Sequence, residues 1–272
     1  VKGKQLRLRR FFSRGKAVIV PMDHPVYFGA IPGLIRPEEL VRDAAQTPAD
    51  GLLLTLATLN RTAEYTGQLA TIARLDGTHT RFGRRLVETD RFSSVEHAVA
   101  AGADACVLNI YTGAENERSL LGKLGKTAEE CERWGLPLVG EMIPILGLAG
   151  HYGPAEKPDE GLLAEQTAVA ARVGAEMGAD LIKTNWTGSK ESFRRVVEEA
   201  SVPVLVAGGP SGKSVEALLQ MVEDCLAAGA AGICMGRNVW QHTNRIALLR
   251  ALCRMVHEGA SAAQAAEELD RG

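Results

Sequence analysis

A lysine ends the short apolar run Ala179-Asp180-Leu181-Ile182-Lys183-Thr184-Asn185. Holding an unpaired ammonium group out of water costs on the order of several kcal/mol, so such a side chain must find a carboxylate or give up its proton. Desolvation lowers a lysine pKa, and a neutral amine attacks carbonyl carbon. Lys183 is therefore read as a candidate covalent catalyst, with a structural ion pair as the alternative use. Other apolar runs also end on polar groups: Asp23-His24, Arg74 and Asp76, Asn109 and Tyr111, Glu141, and Asn185. The last two runs end on Gly208-Gly209-Pro210-Ser211-Gly212 and Gly236-Arg237-Asn238. Glycines and a short helix start leave backbone N–H groups bare for phosphate oxygens, and the Arg237 guanidinium can fork onto the same oxygens. The bland readings are plain turns for the glycines and a rim salt bridge for Arg237.

Eight runs carry these ends: 17–22, 51–54, 70–74, 105–110, 138–142, 181–184, 204–207 and 232–235. Most are almost continuously apolar, as strands covered on both faces must be. Amphipathic stretches separate them. Pro37 opens one at an early helical position, and Ser93-Ser94 precedes another. The stretches 162–177 and 214–228 follow, Ser189 is a predicted N-cap, and Ser261-Ala262-Ala263-Gln264 is a capping box for the final helix. Gly102-Ala103-Asp104 and Gly178-Ala179-Asp180 repeat one turn from helix into strand. The alternation predicts an α/β fold, a single (β/α)₈ TIM barrel over residues 1–272 with a short N-terminal extension of about 15 residues. In that barrel, active residues belong at the C-terminal strand ends. A doubly wound open sheet is the alternative, disfavoured because no G-x-G-x-x-G follows the first run.

The 272 residues are 46% hydrophobic and 24% charged, with a net charge of -2, which gives no reason to expect nucleic acid or an anionic membrane as partner. The arginine clusters Arg7-Leu8-Arg9-Arg10 and Arg81-Phe82-Gly83-Arg84-Arg85 are short and read as solvated or subunit-facing patches. Five dispersed cysteines, two of them (Cys106 and Cys234) inside strand runs, read as small buried hydrophobes in a reducing compartment. Neither a membrane span nor a signal core is visible, so a cytoplasmic enzyme is expected. No carboxylate or histidine spacing suggests a metal site.

Pro21-Met22-Asp23-His24, Gly102-Ala103-Asp104-Ala105, Lys183-Thr184-Asn185-Trp186-Thr187-Gly188, Val206-Ala207-Gly208-Gly209-Pro210 and Gly236-Arg237-Asn238-Val239-Trp240-Gln241-His242 together resemble the archaeal-type (DhnA-like) class I aldolase family. The resemblance runs over about residues 6–268. That family includes fructose-bisphosphate aldolases, 2-amino-3,7-dideoxy-D-threo-hept-6-ulosonate synthases, and secondary-metabolic relatives that join aspartate semialdehyde to dihydroxyacetone phosphate. The resemblance implies that Lys183 forms a Schiff base with a ketose phosphate, without metal or cofactor, and that the resulting enamine attacks an aldehyde. It implies that Asp23, within hydrogen-bond reach of the amine, is an acid/base; the alternative for Asp23 is a loop-holding role. It also implies a homo-oligomer, often of ten subunits, to which the basic N-terminal segment can supply contacts.

Two departures stand out. Family members carry a tyrosine as proton-transfer acid where this chain has Ile143, in Met142-Ile143-Pro144. The candidates to replace it are Tyr111, Tyr152 and Glu141, the last facing the same way as position 143 in a regular strand. In addition, Pro25 follows Asp23-His24 where the family has glycine, which stiffens that loop. These changes favour a biosynthetic reaction with L-aspartate semialdehyde as acceptor over a housekeeping fructose-bisphosphate aldolase. Two rivals are kept: a phosphate-binding isomerase or lyase in which Lys183 is an electrostatic anchor, and a degenerate barrel that binds sugar phosphate without turnover.

Overall fold

The computed structural model describes residues 2–83, 87–148, 158–209 and 214–271. Arg84 and Arg85 of the second arginine cluster, Tyr152, and Pro210-Ser211-Gly212 lie outside these residues. Among the described residues, eight parallel strands close into a barrel: β1 (Ala17–Pro21), β2 (Gly51–Thr55), β3 (Ala70–Arg74), β4 (Ala105–Thr112), β5 (Leu138–Pro144), β6 (Leu181–Asn185), β7 (Val204–Ala207) and β8 (Gly232–Cys234). Each strand pairs with its sequence neighbours, and β1 closes on β8 through Ala17 opposite Gly232. All eight apolar runs are strands, and helices lie between them as the alternation requires.

Side chains along each strand alternate between the barrel interior and the helical shell. Ala17, Ile19, Leu53, Ala70, Ile72, Ala105, Val107, Val139, Leu181, Leu205 and Cys234 fill the interior. The opposite parity packs under the helices in a second, larger cluster. Counting on by twos from the interior set carries the chain to Arg74, Asn109, Tyr111, Glu141, Ile143, Lys183 and Asn185. The two-residue period thus aims the chemistry-bearing side chains into the C-terminal mouth.

Serine caps fix where several helices begin. Ser94 Oγ accepts from His97 N–H (3.0 Å), Ser189 Oγ from Ser192 N–H (3.2 Å) and Ser214 Oγ from Ala217 N–H (3.2 Å). At the last helix Gln264 N–H donates to Ser261 Oγ (3.2 Å) and Ser261 N–H to Gln264 Oε1 (2.9 Å), the expected reciprocal box.

The N-terminal segment forms a helix, α1 (Lys2–Phe11), across the barrel floor, and Phe11 is fully buried inside the barrel. Three aspartates just ahead of β2, β4 and β6 hold it there. Asp50 pairs with Arg14 (2.9 Å), Asp104 with Arg10 (2.5 Å) and Asp180 with Lys4 (2.9 Å). The second oxygen of Asp50 accepts the backbone N–H of Val18 (2.7 Å) and that of Asp104 the N–H of Thr71 (2.9 Å), while Asp180 Oδ2 accepts both Lys4 and the N–H of Leu138 (2.9 Å), each N–H lying on the preceding strand. The first arginine cluster, read as a solvated or subunit-facing patch, has a structural use as well: Arg7, which donates to Gly135 O (3.0 Å), and Arg10 tie α1 to the barrel, and both Arg9 and Arg10 are exposed. No described helix is long and apolar enough to cross a membrane.

Candidate active site

Among the residues singled out by sequence, Asp23, Tyr111, Lys183, Gly208, Gly209, Gly236 and Arg237 line one cavity of about 680 Å³, its open mouth included, at the C-terminal ends of the strands. Arg74, Asn109, Glu141, Ile143 and Tyr27 join them.

The cavity wall is charged and buried. In the sheet register Glu141 of β5 stands opposite Lys183 of β6, both pointing inward. Lys183 Nζ lies 2.5 Å from Glu141 Oε1, and the lysine is 4% exposed. Arg74 donates to Glu141 Oε2 through one terminal nitrogen, to Asp23 Oδ2 through Nε (2.8 Å) and to Asp76 Oδ1 through the other terminal nitrogen (3.2 Å). Lys123 reaches Asp76 Oδ2 from its helix at 2.6 Å. Three carboxylates and three cations form one chain, so every buried charge has an opposite partner.

That network overturns two expectations. Burial by itself pushes the Lys183 amine down, as the sequence suggested, but the Glu141 carboxylate beside it holds the net value above that of an ordinary lysine. The geometry, a carboxylate oxygen 2.5 Å from Nζ, is that of an ion pair and not of an isolated amine. Asp23, expected within hydrogen-bond reach of Lys183, is instead bonded to Arg74, with His24 Nδ1 3.5 Å from its other oxygen. Among the described residues the ion pair of Lys183 is with Glu141. Burial pushes both carboxylates up, yet Arg74 holds Asp23 well below the usual range, and Lys183 followed by Arg74 holds Glu141 below it. Cys234, also facing the cavity, is pushed up to about 12 by burial and stays a neutral thiol.

Two phenols face the same space. Tyr111 of β4 is the register partner of Ile143 of β5, so it stands beside the position where the family tyrosine is absent. Tyr27 comes from the short helix Pro25–Phe28 that Pro25 starts; Asn109 Nδ2 donates to its hydroxyl oxygen (2.8 Å), and burial pushes its pKa well above that of free tyrosine. Sequence reasoning missed Tyr27, because the proline was read only as a stiffener and not as the first residue of a helix. Arg74 and Glu141 were noted as strand-end residues, but the pairing of Glu141 with Lys183 was not foreseen.

The glycine ends of β7 and β8 meet. Asn238 Nδ2 donates to Gly208 O (2.9 Å), and Trp240 Nε1 donates to Pro21 O (3.2 Å), pinning the end of β8 to β1. A Cβ on Gly236 would stand 2.7 Å from Pro21 O, and Gly209 has φ 69°, so glycine is required at both places. Among the described residues no group of His, Cys, Asp or Glu side chains is arranged to hold a metal ion.

Fold and site define a lysine-bearing (β/α)₈ enzyme of the Schiff-base aldolase class. A family model described as DeoC/LacD family aldolase matches residues 17–242. The chain belongs to that family, in the class I group related to the archaeal fructose-bisphosphate aldolases. The 2-amino-3,7-dideoxy-D-threo-hept-6-ulosonate synthase of Halobacterium salinarum is 34% identical over 258 residues, 95% of this chain and 93% of that one. The class 1 fructose-bisphosphate aldolase of Thermoproteus tenax is 34% identical over 264 residues, 94% of this chain and 95% of that one. An archaeal fructose-1,6-bisphosphate aldolase, solved with its catalytic lysine covalently bound to the carbinolamine intermediate of its substrate, superimposes with a TM-score of 0.82 at 32% identity, covering 94% of this chain and 99% of that one. The present protein is a class I aldolase that works through a lysine Schiff base.

Proposed function

We propose that the protein makes and breaks a carbon–carbon bond beside the ketone of a phosphorylated ketose, with Lys183 as the residue that carries the iminium. The observation behind this assignment is a buried lysine at the end of β6 facing the cavity that the glycine ends of β7 and β8 also line. The amine bonds the ketone carbon of dihydroxyacetone phosphate, and the iminium draws electrons from the adjacent C–H bond. The enamine left by loss of that proton attacks an aldehyde. The donor phosphate lies against the backbone N–H groups of Gly208, Gly209 and Gly236, with Arg237 forking onto its oxygens. Tyr111 protonates the aldehyde oxygen as it becomes a hydroxyl, in place of the tyrosine missing at Ile143. Asp23, held anionic by Arg74, is a weak base; its role is to orient Arg74 and to place negative charge near the iminium.

Fructose 1,6-bisphosphate, split to dihydroxyacetone phosphate and glyceraldehyde 3-phosphate, is the better supported substrate, since relatives that align over nearly the whole chain are fructose-bisphosphate aldolases. Ile143 and the similarity to the halobacterial synthase favour a second reading, in which L-aspartate semialdehyde is the acceptor and a seven-carbon amino-keto phosphate the product. Steady-state cleavage of fructose 1,6-bisphosphate, run beside synthesis from dihydroxyacetone phosphate and a panel of aldehydes that includes aspartate semialdehyde, separates the two. Cleavage that disappears in Lys183→Ala is the expected result. Adduct formation without a product from any aldehyde would instead leave a sugar-phosphate-binding barrel without turnover.

A further inference from the structure

We propose that Glu141 is the proton relay of Lys183, taking the ammonium proton before attack and returning it to the hydroxyl that leaves. The inference deepens the assignment above and rests on Lys183 being the Schiff-base residue. An ammonium nitrogen has no lone pair, so attack requires a base within hydrogen-bond reach of Nζ. Glu141 Oε1 lies 2.5 Å from that nitrogen, and the register that sets Glu141 opposite Lys183 is fixed by the backbone. The other charged or titratable groups facing the pair are placed differently. Asp23 after β1 is bonded to Arg74, and Arg74 of β3 is itself a cation. Cys234 of β8 is a neutral thiol, Tyr27 a neutral phenol, and His24 lies against Asp23; Tyr111 of β4 stands opposite Ile143, two residues beyond Glu141, and Arg237 after β8 is a further cation. Position 143, two residues further along β5, carries isoleucine and moves no proton.

The bond from Arg74 to the second oxygen of Glu141 keeps the carboxylate on Lys183 and makes it a weak base. The ion pair is therefore the resting form, and the neutral pair is a minor one that attack consumes. The steps balance. Nζ gives one proton to Oε1, leaving a neutral amine and a carboxylic acid. The amine lone pair forms the C–N bond, the C=O electron pair moves to oxygen, and a second nitrogen proton passes to that oxygen, giving a neutral carbinolamine. Glu141 then returns its proton to the hydroxyl, the C–O bond breaks, and water leaves while the nitrogen lone pair forms C=N. The iminium cation inherits the ion pair the ammonium had.

Rapid-quench borohydride trapping with dihydroxyacetone phosphate, followed by intact mass and mapping of the modified lysine, tests this in wild type and in Glu141→Gln. Internal transfer predicts a wild-type trapping rate that is level from about pH 6 to about pH 9, where an amine losing its proton to solvent would speed up about tenfold per pH unit. The Gln variant should trap ~10²–10⁴-fold more slowly, the range for loss of a general acid–base. Its rate should climb with pH, and an adduct that still retains water should accumulate. Formate should restore trapping to Glu141→Ala. Trapping by the Gln variant at the wild-type rate with a level profile overturns the relay and leaves Lys183 as nucleophile. If the variants do not fold, as their circular dichroism would show, the wild-type profile decides alone, and a tenfold rise per pH unit counts against Glu141. Absence of any wild-type adduct on Lys183 is a separate outcome and removes the nucleophile itself.

Discussion

Arg74 donates from three nitrogens to three carboxylates, and no other side chain type has a rigid fork able to do so. That arrangement divides labour between two acids which look equivalent in the sequence. Glu141 touches the amine, whereas among the described residues the side chain of Asp23 meets the guanidinium and His24. The loss of turnover in Asp23→Asn should therefore be smaller than in Glu141→Gln, and it should come with a drop in stability of about 3–5 kcal/mol from the under-neutralised Arg74. Rate constants and urea midpoints measured on both variants check the ranking; a larger kinetic loss in Asp23→Asn would return the acid/base role to Asp23. The need for partners was legible in advance, because an arginine, a glutamate and a lysine each end a buried strand and none can stay unpaired. Which carboxylate meets which cation depends on the inter-strand register, and the chain does not display that register.

At the scale of elements, the eight strands were legible because both faces of each are covered and the runs stay apolar. Helix α1 was not. Leu6, Leu8, Phe11 and Phe12 sit in a basic segment, and what holds the helix lies far away in sequence: Asp104 is 94 residues from Arg10, Gly135 is 128 from Arg7, and Asp180 is 176 from Lys4. The aspartates of the repeated Gly-Ala-Asp turns were read as αβ-loop chemistry. They also accept a strand N–H and a cation from the floor segment. Phe11→Ala empties the floor of the barrel at the end opposite the cavity. It should cost about 3–5 kcal/mol, as for other large-to-small changes of a buried aromatic, while KM for the ketose phosphate stays unchanged. Chemical denaturation beside steady-state kinetics reads both; a large rise in KM would show that the floor and the mouth are coupled.

For the whole molecule, the buried charges set how stability responds to pH. Asp23 and Glu141 are held below their ordinary values of 3.8 and 4.5, so the unfolded chain binds protons more readily than the folded one, and their contribution is complete above those values. It is lost as pH falls through the lowered folded values. Lys183 is held above 10.5, so its contribution is present at neutral pH and disappears only as strongly alkaline solution strips the ammonium proton. The urea midpoint should be level from about pH 6 to about pH 8 and fall steeply below about pH 4, with a shallower fall in Glu141→Gln; equal slopes for the two proteins would mean that the pair contributes little. Because the iminium is itself the electron sink, turnover should also survive EDTA.

The measurement closest to the central claim is covalent capture of the donor. Wild-type protein incubated with dihydroxyacetone phosphate and borohydride should gain one ketose phosphate per chain, on the peptide that contains Lys183, and Lys183→Ala should gain none. Turnover of a ketose phosphate with no adduct, or an adduct on a different lysine, would contradict the account.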